Sequence, residues 1–210
     1  MIARSWLVPI CAVVIFTGCG SMQLSKDFQT GRESLLNGNH SEALAYFHRV
    51  AQTEPNYVYG TALRQNVWSY VGRAEYGAGR YEEARRNLEK AFSPKLDNDI
   101  SILYLGLALA RSGDRERGIR EIERGMRGAH EWLEYITEAH RSSFGQFWDP
   151  RREIRSAIES DLAMLSGKEI DWQKLIADGE WVGKRLEEEG DLARRDEGAD
   201  LDRDGDDGRP

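Results

Sequence analysis

At 210 residues the chain is long enough for one or two small domains whose core needs neither a disulfide nor a metal. Its 36 acidic residues outnumber 29 basic ones, and the whole excess of −7 lies in residues 187–210, which hold eleven acids and four bases. The balanced remainder offers no basic stripe to release counterions from a phosphate backbone, which argues against nucleic acid as a partner. Both cysteines, Cys11 and Cys19, fall in the first twenty residues, so nothing downstream can form a disulfide.

The N-terminus carries one positive charge at Arg4, then an apolar run from Trp6 to Phe16, then the small residues Thr17, Gly18, Cys19, Gly20 and Ser21. That order is a secretory signal. Its eleven apolar residues, at about 1.5 Å each, span roughly half of a ~30 Å hydrocarbon core, too short for a permanent membrane helix. Phe16-Thr17-Gly18-Cys19 resembles the bacterial lipobox, with Phe where Leu is usual. The resemblance implies cleavage after residue 18, a thioether-linked lipid on Cys19, and a short tether over 19–23. Two or three acyl chains anchor stably where one is marginal. Gly20, in place of an inner-membrane retention aspartate, implies the periplasmic face of the outer membrane as the destination if the organism has one.

Next, one phrase recurs three times: Gly38-Asn-His-Ser-Glu-Ala43, Gly79-Arg-Tyr-Glu-Glu-Ala84 and Gly113-Asp-Arg-Glu-Arg-Gly118. Twelve residues before each final small residue stands a glycine, at Gly31, Gly72 and Gly106, and four residues after it an apolar side chain, at Phe47, Leu88 and Ile122. From Gly72 to Gly106, and from Ala84 to Gly118, the step is 34 residues. With Trp68 ahead of Gly72, and Pro55 closing the first copy, 24–132 resembles the tetratricopeptide repeat family. The resemblance implies an all-α solenoid of about three helical hairpins, with Gly31, Ala43, Gly72, Ala84, Gly106 and Gly118 small because paired helices cross there. The first interval, Ala43 to Ala84, is 41 residues, and the seven extra are expected to lengthen a helix by two turns over 57–64. Polar Asp27, Thr30 and Ser34, with Phe28, Leu35 and Leu36 nearby, make the first helix either a degenerate capping helix or one in a shifted register.

Residues 133–186 read as a helical extension or cap. Trp132, Leu133 and Ile136 share a face of 130–140 that continues the array. Asp149 is placed to cap a helix with Pro150 at its first position, and Ile154, Ala157, Ile158, Leu162 and Leu165 form its apolar stripe. Asp171 can cap a last helix that turns Trp172, Leu175, Ile176, Val182 and Leu186 to the core, with Gly179 as a weak point. Trp172 and Trp181 either cover the last repeat or face a partner. Residues 187–210 read as an acidic, disordered tail.

Catalytic signatures are missing. The four histidines do not fall in H-E-x-x-H spacing, the mature chain has no cysteine nucleophile, and no phosphate-binding glycine loop follows a strand, since none is evident. Asp200, Asp202, Asp204 and Asp206 read D-x-D-x-D-G, the opening half of a calcium loop that lacks its closing ligand. No cofactor is expected. The family resemblance implies a concave groove for a protein or peptide segment, lined in the second repeat by Asn66, Ser69, Arg73 and Tyr76 and in the first by Arg32. Arg32 and Arg73 together can hold a carboxylate; the alternative is that these side chains pack against the closing helices. Ile100, Leu103 and Leu107 make the groove apolar in the third repeat. The expectation is a lipid-anchored, non-enzymatic interaction scaffold of a cell-envelope complex. The alternative is an envelope hydrolase or glycan-processing accessory with its site in 130–186, for which Glu131 and Glu134 are the carboxylates to test.

Overall fold

The computed structural model describes residues 18–206. It is all-α but for one two-residue ladder. Three successive helical pairs come first: α1 (Gly18–Leu36) with α2 (His40–Thr53), α3 (Val67–Gly77) with α4 (Tyr81–Lys90), and α5 (Asp99–Arg111) with α6 (Arg115–Ala139). Neighbouring pairs touch through α2 on α3 and α4 on α5. A short 3₁₀ turn at Phe144–Phe147, α7 (Glu153–Leu165) and α8 (Trp172–Asp206) complete the chain. The expected signal sequence lies outside the described residues, apart from Gly18. Cys19 falls in the first turn of α1, and its side chain is outside the described part. Among the described residues no helix is long and apolar enough to cross a membrane.

The repeated small residues are where the helices of each pair meet. A Cβ on Gly72 would lie 2.5 Å from Cγ of Leu88, one on Gly31 would lie 2.8 Å from the Phe47 ring, and one on Gly118 would lie 2.9 Å from the Ala110 nitrogen. Gly106 abuts the Ile122 and Gly118 backbone. Glycine lowers helix propensity by about 1 kcal/mol. Close packing of Phe47, Leu88 and Ile122, all fully buried, offsets that cost. The hairpins turn at Gly38, Gly79 and Gly113, each at positive φ, which an L side chain resists. Asn66 and Asp114 cap α3 and α6 by accepting the amides of Trp68 and Arg117.

Several expectations are corrected. Residues 57–64 do not lengthen a helix. Pro55 follows the end of α2, and the chain then forms a small antiparallel ladder, β1 (Val58–Tyr59) with β2 (Gln65–Asn66), pairing Val58 with Asn66 and Tyr59 with Gln65. The turn between them depends on Gly60 at φ +102°, where a Cβ would overlap the Leu63 carbonyl. The excursion puts Tyr57 and Tyr59 against Phe28, whose ring also meets Phe47 and Tyr70. Despite its polar sequence, α1 buries a full face: Phe28, Gly31, Arg32 and Ser34. The boundary expected at residue 132 falls inside α6, which runs unbroken to Ala139. Asp149 does cap α7, accepting the amides of Ile154 and Arg155, but from outside the helix, with Asp149 and Arg152 both left-handed and α7 beginning only at Glu153. The tail expected from residue 187 is helical to Asp206 as part of α8, and Glu187 is buried.

The crossings make a direct test. Gly106→Ala should cost about 1–3 kcal/mol, because its Cβ meets backbone that cannot move aside. Gly38→Ala has open space around the Cβ and only the φ of +78° against it, so it should cost about 1 kcal/mol. Urea denaturation of the two variants side by side checks the order.

Candidate functional site

Helices α1, α3 and α5 carry the residues that the sequence assigned to a groove, and side chains of the chain's own α8 meet them. Against α5 the approach is close and apolar: Gly179 sits over Leu107, Gly183 over the Tyr104 ring, and Leu175, Val182 and Leu186 are buried. Gly179, expected to be a weak point, is a contact point. Against α1 and α3 the contact is ionic. Glu187 enters the face with its side chain 4 % exposed and meets two guanidinium groups, from Arg32 on α1 at 2.7 Å and from Arg73 on α3 at 2.8 Å. The Tyr70 hydroxyl donates to the same carboxylate at 2.9 Å, and the Gln65 amide does so at 3.2 Å. Arg32 also reaches Asp191, one helical turn further along α8, at 3.1 Å.

Burial alone would push the Glu187 carboxyl upward. The charges of Arg73 and Arg32, and their hydrogen bonds, outweigh it and hold the group down at about 2. Each arginine is also stacked. Arg32 lies 4.5 Å from the Tyr59 ring centroid, and Arg73 lies 5.2 Å from both Tyr70 and Tyr104. Arg32 and Arg73 therefore do share a carboxylate, and its source is residue 187 of the same chain.

The other expected groove residues divide. Tyr76 faces α8 and donates to Glu180 at 2.5 Å, beside Arg111, which binds the same carboxylate at 3.0 Å. Ser69 is fully buried, bonded to Gln65 and Ser101, and Asn66 serves as a helix cap, so neither lines an open groove. Leu103 and Leu107 form the apolar end as expected, but under α8. Sequence reasoning missed Glu187, Gln65, Tyr70 and Asp191. Leu186-Glu187, with Gly183 and Gly190 a turn either side, carries the signal of a helix with one narrow face.

Trp172 is half-buried beneath Arg115, and Trp181 is exposed at 39 %. In 130–186, Glu134 accepts from Arg152 and Arg155. Slight burial raises its carboxyl, but Arg155 and then Arg152 hold it below the ordinary range, the opposite of what a general acid needs. Glu131 lies on an open surface beside Asp99. Asp200, Asp202, Asp204 and Asp206 fall on helical backbone, which sends alternate residues to different faces, and their side chains are outside the described part. Among the described residues no group of three acidic, His or Cys side chains is placed to hold a metal ion.

No protein-family model matches the chain, nor does any curated protein or solved structure.

Two opposed linkages follow. Glu187, at about 2 in the fold against an ordinary ~4.3 unfolded, stabilises the fold above pH 4.3, and that contribution drains as pH falls towards 2. Asp99 and Asp161 are pushed up to about 6 by burial against an ordinary ~3.9 unfolded, so each opposes folding at neutral pH, and stability rises as pH falls from about 7 towards 4. Urea midpoints should therefore peak near pH 4. In Glu187→Gln the fall below pH 4 should flatten, and the loss at pH 7 should be about 3–5 kcal/mol, because two buried guanidinium groups lose their counter-charge.

Proposed function

We propose that the chain is a lipid-anchored interaction module of the bacterial cell envelope, a tetratricopeptide-like array whose concave face receives acidic helical segments. The reading is carried by one observation: matching positions of successive hairpins, Arg32 and Arg73, converge on a single carboxylate borne by a helix. The recurrence of small residues at the helix crossings, on a 34-residue step, supports the array. In the isolated chain α8 supplies the acidic helix. A partner segment from another envelope protein engages the same two arginines by taking the place of the stretch around Glu187.

The tether supports the location. The order of charge, apolar run and Cys19 supports export and lipidation, with the periplasmic face of the outer membrane as the site of action. Because α1 is helical from Gly18, the thirteen residues from Cys19 to Arg32 span about 20 Å rather than the ~40 Å or more of an extended linker. The arginine pair then works close to the bilayer surface.

Cys19→Ser should leave folding unchanged and move the chain out of the membrane fraction; a variant still processed and membrane-bound would sink the anchor. For the groove, a photoreactive residue at Thr61, which borders the Glu187 cluster, should give stronger adducts with an envelope protein in Glu187→Ala than in the parent chain. Adding Arg73→Ala should remove them. Adducts indifferent to both changes would count against the groove.

A further inference from the structure

The three stretches that depart from the hairpin repeat meet at one place. The insertion at 57–64, the 3₁₀ turn after α6 and the part of α8 around Glu187 enclose a cavity of about 330 Å³. Tyr59, Ala62 and Leu63 come from the first, Phe144 and Trp148 from the second and Leu186 from the third, with Tyr70 of α3 beside them. Close approach fixes the walls. A Cβ on Gly145 would overlap the Ile136 carbonyl, and one on Gly190 would lie 3.2 Å from the Trp148 ring. A space bounded by three separate elements, two of them held by glycines that admit no side chain, is a shaped feature of the fold rather than a gap left between two helices.

The polar groups on the wall say what a guest must lack. The Gln65 amide donates to Tyr70 and Glu187, and its carbonyl accepts from Ser69. The Tyr70 hydroxyl donates to Glu187, whose charge is met by Arg32 and Arg73, and the Tyr59 hydroxyl accepts from Arg32. These side chains are committed to one another, so a charged or hydrogen-bonding guest would give up its water and gain no partner from them in return. An anion would stand beside the Glu187 carboxylate, and a cation would find that carboxylate already shared by two guanidinium groups. What the wall does offer is apolar area: four aromatic rings with Ala62, Leu63 and Leu186. An uncharged guest gains by taking that area and its own out of water, and rings add edge-to-face contacts. The volume is at the small end of ligand pockets, room for a compact molecule.

We propose that this cavity binds one small, uncharged, apolar ring compound, held among Tyr59, Tyr70, Phe144 and Trp148. The site is independent of the lipid anchor and of any partner protein, and it exists while α8 is seated as in the isolated chain. It is tested on the purified full chain by calorimetric titration with toluene, and with benzoate and benzylammonium, which carry the same ring with a negative or a positive group. Toluene should saturate at one per chain with millimolar or better affinity, and both charged probes should bind roughly tenfold more weakly or worse. In proton–nitrogen correlation spectra of the parent chain, toluene should shift the amides of Ala62, Gly190 and Ala193, which border the cavity. Ala62→Phe, at a half-buried position of the insertion, puts a ring where the guest would lie and should abolish toluene binding with circular dichroism unchanged. Benzoate or benzylammonium bound as tightly as toluene, toluene shifts that leave those three amides still, a folded Ala62→Phe chain that binds toluene like the parent, or no saturable toluene binding at millimolar concentration would each overturn the assignment.

Discussion

The Glu187 carboxylate, buried between α8 and the helices α1 and α3, ties together parts of the chain that share little other contact. Taking one carboxylate and two guanidinium groups out of water costs several kcal/mol per ion, and the return comes only where the geometry is good and the remaining donors and acceptors are satisfied. Here it is good: two cations within 2.8 Å and two neutral donors on the same two oxygens. Well-packed apolar side chains would give similar stability, so net energy is not what distinguishes this arrangement. What it supplies is register. A leucine at position 187 would tolerate any apolar surface, but a carboxylate is satisfied only where those donors converge, and that fixes how far α8 slides and rotates.

The hairpins make that convergence possible. Arg32 and Arg73 stand one residue after Gly31 and Gly72, the glycines that let each inner helix press against its partner. The same crossing geometry recurs in consecutive hairpins, so the residue following the glycine emerges on the same side each time. In the third hairpin that residue is Leu107, and the face changes character there. Along α8 the buried contact therefore passes from apolar, where Gly179 and Val182 meet α5 with only the partly exposed Glu180–Arg111 pair beside them, to ionic at Glu187 and Asp191. Hydrophobic contact is non-directional and charge-assisted bonding is not. The apolar turns of α8 from Leu175 to Leu186 supply adhesion, and Glu187 and Asp191 supply position.

The hairpins were legible in the sequence because close approach of two helices forces small residues at a fixed spacing, which survives in a single chain. That Arg32 and Arg73 would face one carboxylate came from the family resemblance, which put that carboxylate on a partner. The carboxylate's identity was not legible. Averaged over 187–210, the charge excess reads as a solvated tail, and the average conceals that Glu187, Glu189, Gly190 and Ala193 are buried while Glu188 and Asp191 are only partly so. Composition is a property of a window, whereas burial is decided residue by residue. The insertion at 57–64 misled for a different reason: seven residues equal two helical turns, but Pro55 and a glycine held at positive φ leave a helix no way to run through. The early turn at Asp149 was half legible, since its carboxylate does cap α7, but Asp149 and Arg152 in left-handed conformation delay the helix to Glu153.

The ion cluster also determines what the face refuses. An apolar helix laid over α1 and α3 would leave Arg32 and Arg73 buried with no counter-charge, the arrangement that costs most in a low-dielectric interior. A basic helix would add like charge to it. Specificity of this kind rests as much on the penalty to wrong occupants as on attraction to the right one. The narrow approach at Gly183, where a Cβ would run into the Tyr104 ring, adds a steric requirement to the electrostatic one. The stretch of α8 that lies here meets both requirements, with a carboxylate at the height of Arg32 and Arg73 and a glycine one turn before it.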